Sequence, residues 1–396
     1  MIYLDHNATT PVRPEVFEAM RPFFTERWGN PSSSYHFGAE LKGVLETARE
    51  QVAGLVGARP SEILFTGGAT EANHTALHAA LKANPGKRHL ITSQVEHSSV
   101  LGHCRALAAE GCRLTCLPVD REGLLKLADL ENALTDDTAV VSLMWANNET
   151  GVLFPVADIA QLCRARGVLF HCDAVQAAGK LPVDTAAVPA DYLSLSGHKF
   201  GAPKGVGALY VRRKSPFSPW LHGGHQERGR RGGTESVPLI AGLGAAAELA
   251  RQDLPDYEDK VRPLRDALEA GILGNAGGAR LSERARERPA EDCQPHLATE
   301  LNGHPTRRLP NTTNLTFPGI ESEALLLLLD QEGLCASSGS ACLADSDEPS
   351  HVVKAMKPDT GASRQMIRFS LGMENSAKDV NAAIAAIRKA VNALRD

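Results

Sequence analysis

A lysine beside apolar residues at a strand end is the side chain of this sequence with the most chemistry in it. Lys199 follows Ser196-Gly197-His198 and is hemmed in by Phe200, Gly201, Ala202 and Pro203. An ammonium crowded away from water is disfavoured, so its pKa falls and the free amine becomes nucleophilic. Read alone, the stretch is equally well a surface lysine on a loop. Six further polar residues stand in the same kind of place, just after an apolar run: Thr70, His97, Asn148, Asp173, Gln176 and His198. One polar residue there is a loop residue; seven make a site.

An alternation of short apolar runs and helical spacings positions them. Strands are expected over residues 62–66, 89–93, 113–118, 139–145, 168–172, 191–195 and 205–212. Helices are expected over 14–25, 38–56, 71–81, 98–110, 156–166 and 238–251. Such alternation implies a mainly parallel sheet covered by helices, and there ligands sit beyond the carboxyl ends of the strands. The turn Gly67-Gly68-Ala69-Thr70 joins a strand to a helix start. Its free N–H groups and the helix dipole favour phosphate, and its glycines permit close backbone approach. A tight turn with an N-cap threonine has the same pattern. From about residue 254 the order changes to helix, strands and helix, which suggests a second domain.

Pyridoxal phosphate needs a lysine, a carboxylate against its pyridinium nitrogen and a phosphate cup. Lys199, Asp173 and the 67–70 turn supply these; Ser196 and His198 are further phosphate donors, and His97 is a candidate for the flat group over the ring. Asp173 has a second reading as the N-cap of a helix beginning near Ala174. Asn30, in the loop WGNPSS, reads from composition as a turn former. Arg368, on a strand expected over 366–371, suits a bidentate grip on a carboxylate. The loop 222–234, dense in glycine, arginine and histidine, is either solvated or an arm reaching an anion in a neighbouring subunit.

The eight cysteines include no CxxC pair and form no disulfide framework in a chain of 396 residues. Cys104, Cys112, Cys116, Cys163, Cys172 and Cys335 fall in expected strands or helices, where a free cysteine behaves as a small hydrophobe. Cys293 belongs to a charge-dense run. Cys342 follows small residues and precedes an acidic, proline-terminated loop, the setting of a nucleophile on a flexible segment.

The net charge of −5 and the absence of a basic stripe argue against nucleic acid as the main partner. No apolar run has the length of a membrane span, and the start MIYLDHNATTPVRPEV has no charged-then-apolar leader, so a cytoplasmic protein is expected.

These segments together resemble one family, the pyridoxal-phosphate cysteine desulfurases of the NifS/IscS kind within the class V aminotransferases. The resemblance covers nearly the whole chain. Its most specific pieces are DHNATTP at 5–11, GNPSS at 29–33, FTGGATEAN at 65–73, ANNETG at 146–151, SGHKFGAPKGVGALYVR at 196–212 and SSGSAC at 337–342. It implies the α/β fold of type I pyridoxal-phosphate transferases: a large domain with a mainly parallel seven-stranded sheet covered by helices, plus a smaller α+β domain. The expected division is residues 1–20 packing with the small domain, 21–253 binding the cofactor, and 254–396 carrying the catalytic cysteine loop.

The resemblance makes Lys199 the cofactor-bearing lysine, Asp173 the pyridinium partner, and Gln176 the partner of the ring hydroxyl. His97 would stack on the ring and shuttle protons. Ala69, Thr70, Ser196 and His198 would hold the phosphate, with Thr234 added from the other subunit of a homodimer. Asn148 would border both cofactor and substrate, Asn30 and Arg368 would orient the amino acid, and Cys342 would take the sulfur. No resident metal is implied.

The implied activity removes sulfur from L-cysteine, giving L-alanine and a persulfide on Cys342. The persulfide would feed iron–sulfur cluster assembly through a scaffold or other acceptor protein and would meet a cluster only there. A selenocysteine lyase would use the same fold and cofactor. A non-catalytic, regulatory pyridoxal-phosphate protein is countered by intact Lys199, Asp173, His97, Arg368 and Cys342. The sequence departs from the family after the nucleophile, where Leu343-Ala344-Asp345 replaces the frequent Thr-Ser; the run 280–301 is longer, and no extra tail follows the last helix. These departures bear on partner choice rather than on chemistry.

Overall fold

A computed structural model of the chain describes residues 1–274, 299–339 and 348–395. The chain begins with a two-residue strand, β1 (Ile2–Tyr3), and then builds a seven-stranded sheet from β2 (Ile63–Thr66), β3 (His89–Ser93), β4 (Arg113–Leu117), β5 (Thr138–Met144), β6 (Leu169–Asp173), β7 (Tyr192–Ser196) and β8 (Gly207–Val211). Their order is β2-β8-β7-β6-β5-β3-β4. Only β8 is reversed, antiparallel to both β2 and β7. Six strands therefore point the same way, and their carboxyl ends lie along one edge. All of them except the edge strand β4 and one residue of β6 are buried throughout, as expected of strands covered on both faces.

Alternation along β7 shows the two covers. Leu193 and Leu195 join a core with the helices Leu41–Leu55 and Val237–Leu273, through Val52, Leu243 and Ala247. Tyr192 points the other way, to Ala76 and Leu77 of the helix Ala69–Ala83 and to Leu64 and Leu209. A third cluster, with Ile159 of the helix Val156–Ala165, packs on Leu143 and Phe170.

The rest of the chain forms β9 (Glu300–Leu301), β10 (Thr312–Thr316), β11 (Leu334–Cys335) and β12 (Met366–Ser370). An antiparallel sheet runs β12-β10-β9, and β11 pairs in parallel with β1. Leu4, Leu315 and Phe369 share a core with Leu325 of the helix Ser322–Gln331 and Ile387 of the helix Ala377–Ala393.

The helix expected to end near residue 251 continues to Leu273, through Pro255 and Pro263. Its first half is buried against the large sheet by Ile240 and Leu243, and its second half against the smaller one by Val261 and Leu268. Burial at both ends outweighs the hydrogen bonds the prolines cannot make. The helix expected over 14–25 is divided into Pro14–Met20 and Pro22–Thr25, where Pro22 lacks an N–H. Among the described residues no helix is long and apolar enough to cross a membrane, and no three His, Cys, Asp or Glu side chains gather as a metal site.

Candidate active site

β7 ends at Ser196, and Gly197–Lys199 closes as one tight turn. A Cβ on Gly197 would lie 2.8 Å from both Ala202 Cβ and Leu243 Cδ1, so glycine is what lets this turn pack. Lys199 Nζ donates to the carbonyl oxygens of Asn7 at 2.7 Å and Ala8 at 2.8 Å. The carbonyl of His198 accepts from Thr10 N at 2.8 Å and Thr10 Oγ1 at 3.1 Å. Thr10 Oγ1 in turn accepts from Gly201 N at 2.8 Å. The segment DHNATTP thus straps the lysine turn in place. From composition it reads only as turn-rich, and the signal that could have placed it was its strength as a motif.

Asp173 ends β6, directly beside β7 and in register with Ser194. Its Oδ2 accepts from Asn73 Nδ2 at 2.9 Å, and its Oδ1 from Val175 N at 3.1 Å. The second contact is the local one a cap would make, but residues 174–180 form turns rather than the helix expected near Ala174. Asn73 also donates to Ser99 Oγ at 2.9 Å, and that hydroxyl meets His97 Nδ1 at 2.8 Å. His97 caps the helix Ser98–Ala109, its Nδ1 accepting from Ser99 N at 3.1 Å. An Nδ1 that accepts leaves the ring proton on Nε2. Burial, then the charges of Lys199 and His351, lower the His97 pKa against the pull of Asp173.

The glycine turn forms an open cradle. Gly68 has φ +146°, and nothing lies within 4 Å of where its Cβ would be. The first helical bond behind it runs from Ala72 N to Gly68 O, so the amides of Ala69, Thr70 and Glu71 precede the helical ladder. Gly207 faces this turn; a Cβ there would be 2.9 Å from Gly68 Cα. Thr70 is exposed, Ser196 is buried, and His198 is half-buried. Burial and then Lys199 push the His198 pKa down to about 4, so its imidazole is neutral at physiological pH.

Gln176 donates from Nε2 to Asn7 O at 3.0 Å, and its Oε1 accepts from Lys180 Nζ at 2.7 Å. Arg368 donates from Nη1 to Asn148 O at 3.0 Å and from Nη2 to Asp5 Oδ1 at 2.6 Å. Asn148 Oδ1 is buried with no hydrogen-bond partner among the described residues. Lys199, Asn7, Gln176, Asn148 and Arg368 are therefore one connected group, joined by Asp5 and Lys180, while Asn73 and Ser99 tie Asp173 to His97; residue patterns missed Asp5, Asn7, Asn73, Ser99 and Lys180.

Other expected residues are less tied to it. Asn30 is exposed and its Oδ1 accepts from Ser32 N at 2.9 Å, the turn contact its composition suggested. Thr234 is exposed beyond Gly233. The arm before it is anchored: Glu227 is held by both Nη atoms of Arg49 at 2.8 Å, and Arg231 pairs with Glu71 at the cradle at 2.9 Å. Cys342 and Cys293 lie outside the described residues.

These groups fit pyridoxal phosphate. A primary amine, a carboxylate on the adjacent strand, an open glycine cradle at a helix start and an unpartnered buried amide oxygen line one sheet edge. Such an edge can bind an anionic ring cofactor and move a proton at a neighbouring carbon.

Residues 2–291 and 280–383 match the family described as Aminotransferase class-V. The chain is 49% identical over 395 residues to a cysteine desulfurase of Trichormus azollae, covering 100% of this chain and 94% of that one. It is 48% identical over 396 residues to the cysteine desulfurase NifS of Azotobacter vinelandii, with the same coverage. A solved structure of a NifS-like protein superposes with a TM-score of 0.87 at 35% identity, covering 100% of this chain and 99% of that one.

Proposed function

The chain belongs to the class-V aminotransferase family and is a cysteine desulfurase, and from that premise we propose that it works through pyridoxal phosphate on Lys199 and a sulfur-accepting thiol at Cys342. The observation that carries the assignment is the seating of Lys199 Nζ at the end of β7, beside Asp173 at the end of β6. When bound, pyridoxal phosphate supplies an electron sink for the pair left behind as a substrate proton departs.

The chain's residues do the rest. Asp173, kept as an acceptor by Asn73 and Val175 N, would meet the pyridine nitrogen and favour its protonated form. The amides of Ala69 and Thr70, with Ser196 and neutral His198, would hold the phosphate. Gln176 would meet the ring hydroxyl. Arg368 grips the carboxylate of L-cysteine with Asn148 and Asn30 bordering it, and the Lys199 amine takes the α-proton. His97, its proton on Nε2, would stack on the ring and return a proton to the substrate. The Cys342 thiolate then attacks the substrate sulfur. The new S–S bond forms as the C–S bond breaks, its electron pair stays with the carbon, and protonation there yields alanine.

The finer reading is a cytoplasmic homodimer in which Thr234 completes the partner's phosphate site. Its persulfide passes to an iron–sulfur scaffold or other acceptor protein. The organisation that serves this is residues 1–20 with the small domain, 21–253 for the cofactor, and 254–396 for the cysteine loop. Borohydride reduction of the yellow protein, followed by peptide mapping, tests the assignment: the label belongs on Lys199. A label on another lysine overturns it. Sedimentation of an active, cofactor-loaded monomer would remove the shared site.

A further inference from the structure

Behind Gln176 stands a second lysine that the reaction does not use. Lys180 is only 4% exposed. Its Nζ donates to Gln176 Oε1 at 2.7 Å and to Asn7 Oδ1 at 3.0 Å. Among the described residues it makes no ion pair with a carboxylate. A buried amine with such company is costly to keep, and its two contacts explain what it does there. A lysine ammonium only donates, so the Gln176 atom it meets is the oxygen. The amide is thereby oriented: Nε2 points the other way, toward Asn7 O, which also accepts from Lys199 Nζ at 2.7 Å. Asn7 closes the arrangement. Its Oδ1 accepts from Asn311 Nδ2 at 3.1 Å as well, and its Nδ2 donates to Thr312 Oγ1 at 2.9 Å and to Asn148 O.

We propose that Lys180 is a positioning residue that fixes the Gln176 side-chain amide with its N–H donors toward Lys199, so that Gln176 stabilises the ring oxygen of bound pyridoxal phosphate in its deprotonated form. This rests on the cofactor reading above. With the amide turned over, Gln176 would present a carbonyl oxygen, which cannot hydrogen-bond an oxyanion. The charged and titratable groups around Lys180 are Lys199 and His198 on the β7 turn, His6 on the N-terminal segment, and Arg368 on β12. Burial first, then Lys199 and Arg368, hold the Lys180 pKa well below that of a free lysine.

The test is a visible-absorbance pH titration of the cofactor-loaded protein, with Lys180→Met, Gln176→Met and the double variant. Removing a hydrogen bond to a charged oxygen should raise the apparent pKa of the bound chromophore by about one unit, roughly tenfold in proton affinity. Each single variant should show this shift, and the double variant should add nothing, because Lys180 acts only through Gln176. An unchanged titration in Lys180→Met, or shifts that add in the double variant, overturns the proposal. Should Lys180→Met fail to take up cofactor, Gln176→Glu decides the matter. Its carboxylate keeps the contact to Lys180 but has no N–H, so the same upward shift is expected, and no shift overturns the orientation. Borohydride labelling separates the two levels. Label missing from Lys199 overturns the site assignment itself, whereas labelled Lys199 with an unmoved titration overturns only the role of Lys180.

Discussion

Arg368 donates to Asp5 through a 2.6 Å contact from Nη2 to Oδ1, so the arginine proposed for the substrate carboxylate already holds one of the protein's own. Its Nε is buried without a partner among the described residues. The guanidinium is thus fixed in direction while part of its fork is still to be satisfied.

Asp5→Asn should therefore tighten substrate binding. The amide keeps a neutral acceptor but removes the competing charge, a difference of about 1 kcal/mol. Steady-state kinetics should show KM for cysteine falling roughly fivefold, with kcat changed much less. A raised KM would mean that Asp5 serves chiefly to hold Arg368 in place. Arg368→Lys, which loses the planar fork, should raise KM by roughly tenfold or more while the visible spectrum is retained.

Cys342→Ser should bind pyridoxal phosphate and give the spectral change with cysteine, yet release almost no sulfide. Cys335→Ser should keep most activity, since Cys335 is a half-buried member of β11 opposite Tyr3. Cys104 and Cys163 are poorer nucleophiles still, their thiols pushed up to about 12 by burial. Parental sulfide release from Cys342→Ser, or persulfide trapped on Cys293, would refute the assignment.

The arm carrying Thr234 is held by a buried ion pair, and its removal should be costly. Arg49 and Glu227 side chains are 4% and 3% exposed, Glu227 also accepts from Phe65 N at 3.0 Å, and Glu227 and Arg228 sit at φ +48° and +61°. The pair offsets that backbone strain. Arg49→Met would leave the Glu227 charge buried and should destabilise the fold by about 3–5 kcal/mol. Urea denaturation measures this directly, and a loss below about 1 kcal/mol would show that the arm is held by something else.

His171 sets part of the acid stability. It bridges Ser142 Oγ and Ser194 Oγ at 2.8 and 2.9 Å, and burial pushes its pKa down to about 4 from the ordinary 6.5. The unfolded chain takes up a proton below pH 6.5 that the folded chain refuses until about 4. Stability contributed by this group is therefore constant above 6.5 and falls as the pH drops toward 4. Between pH 7 and pH 5 the loss is about 2 kcal/mol. In His171→Gln the urea midpoint should change less over that interval than in the parent, and equal slopes would count against this account.

Much of the scaffold was legible because its signals are local. The strand expected over residues 89–93 is β3 with the same bounds, and the strand–glycine–helix pattern at 62–81 became β2, the cradle and the helix Ala69–Ala83. Periodicity carries that information within a few residues. The long helix was read too short because prolines mark a local preference to stop, while the burial that overrides them comes from two separate cores. The short helix Leu127–Ala133 gave little signal, with only Leu130 buried.

What the sequence determined by itself was the chemistry at hand: an amine, a carboxylate, a histidine and a phosphate cradle, each placed after a strand, and hence at one edge of a parallel sheet. The tertiary structure alone decided which partners orient them. Lys199 meets carbonyls 192 and 191 residues away, and Arg368 meets a carboxylate 363 residues away. Residue types and spacing carry no signal for such pairs. A hydrogen bond depends on distance and angle between atoms brought together by packing, and packing is settled by the whole chain at once.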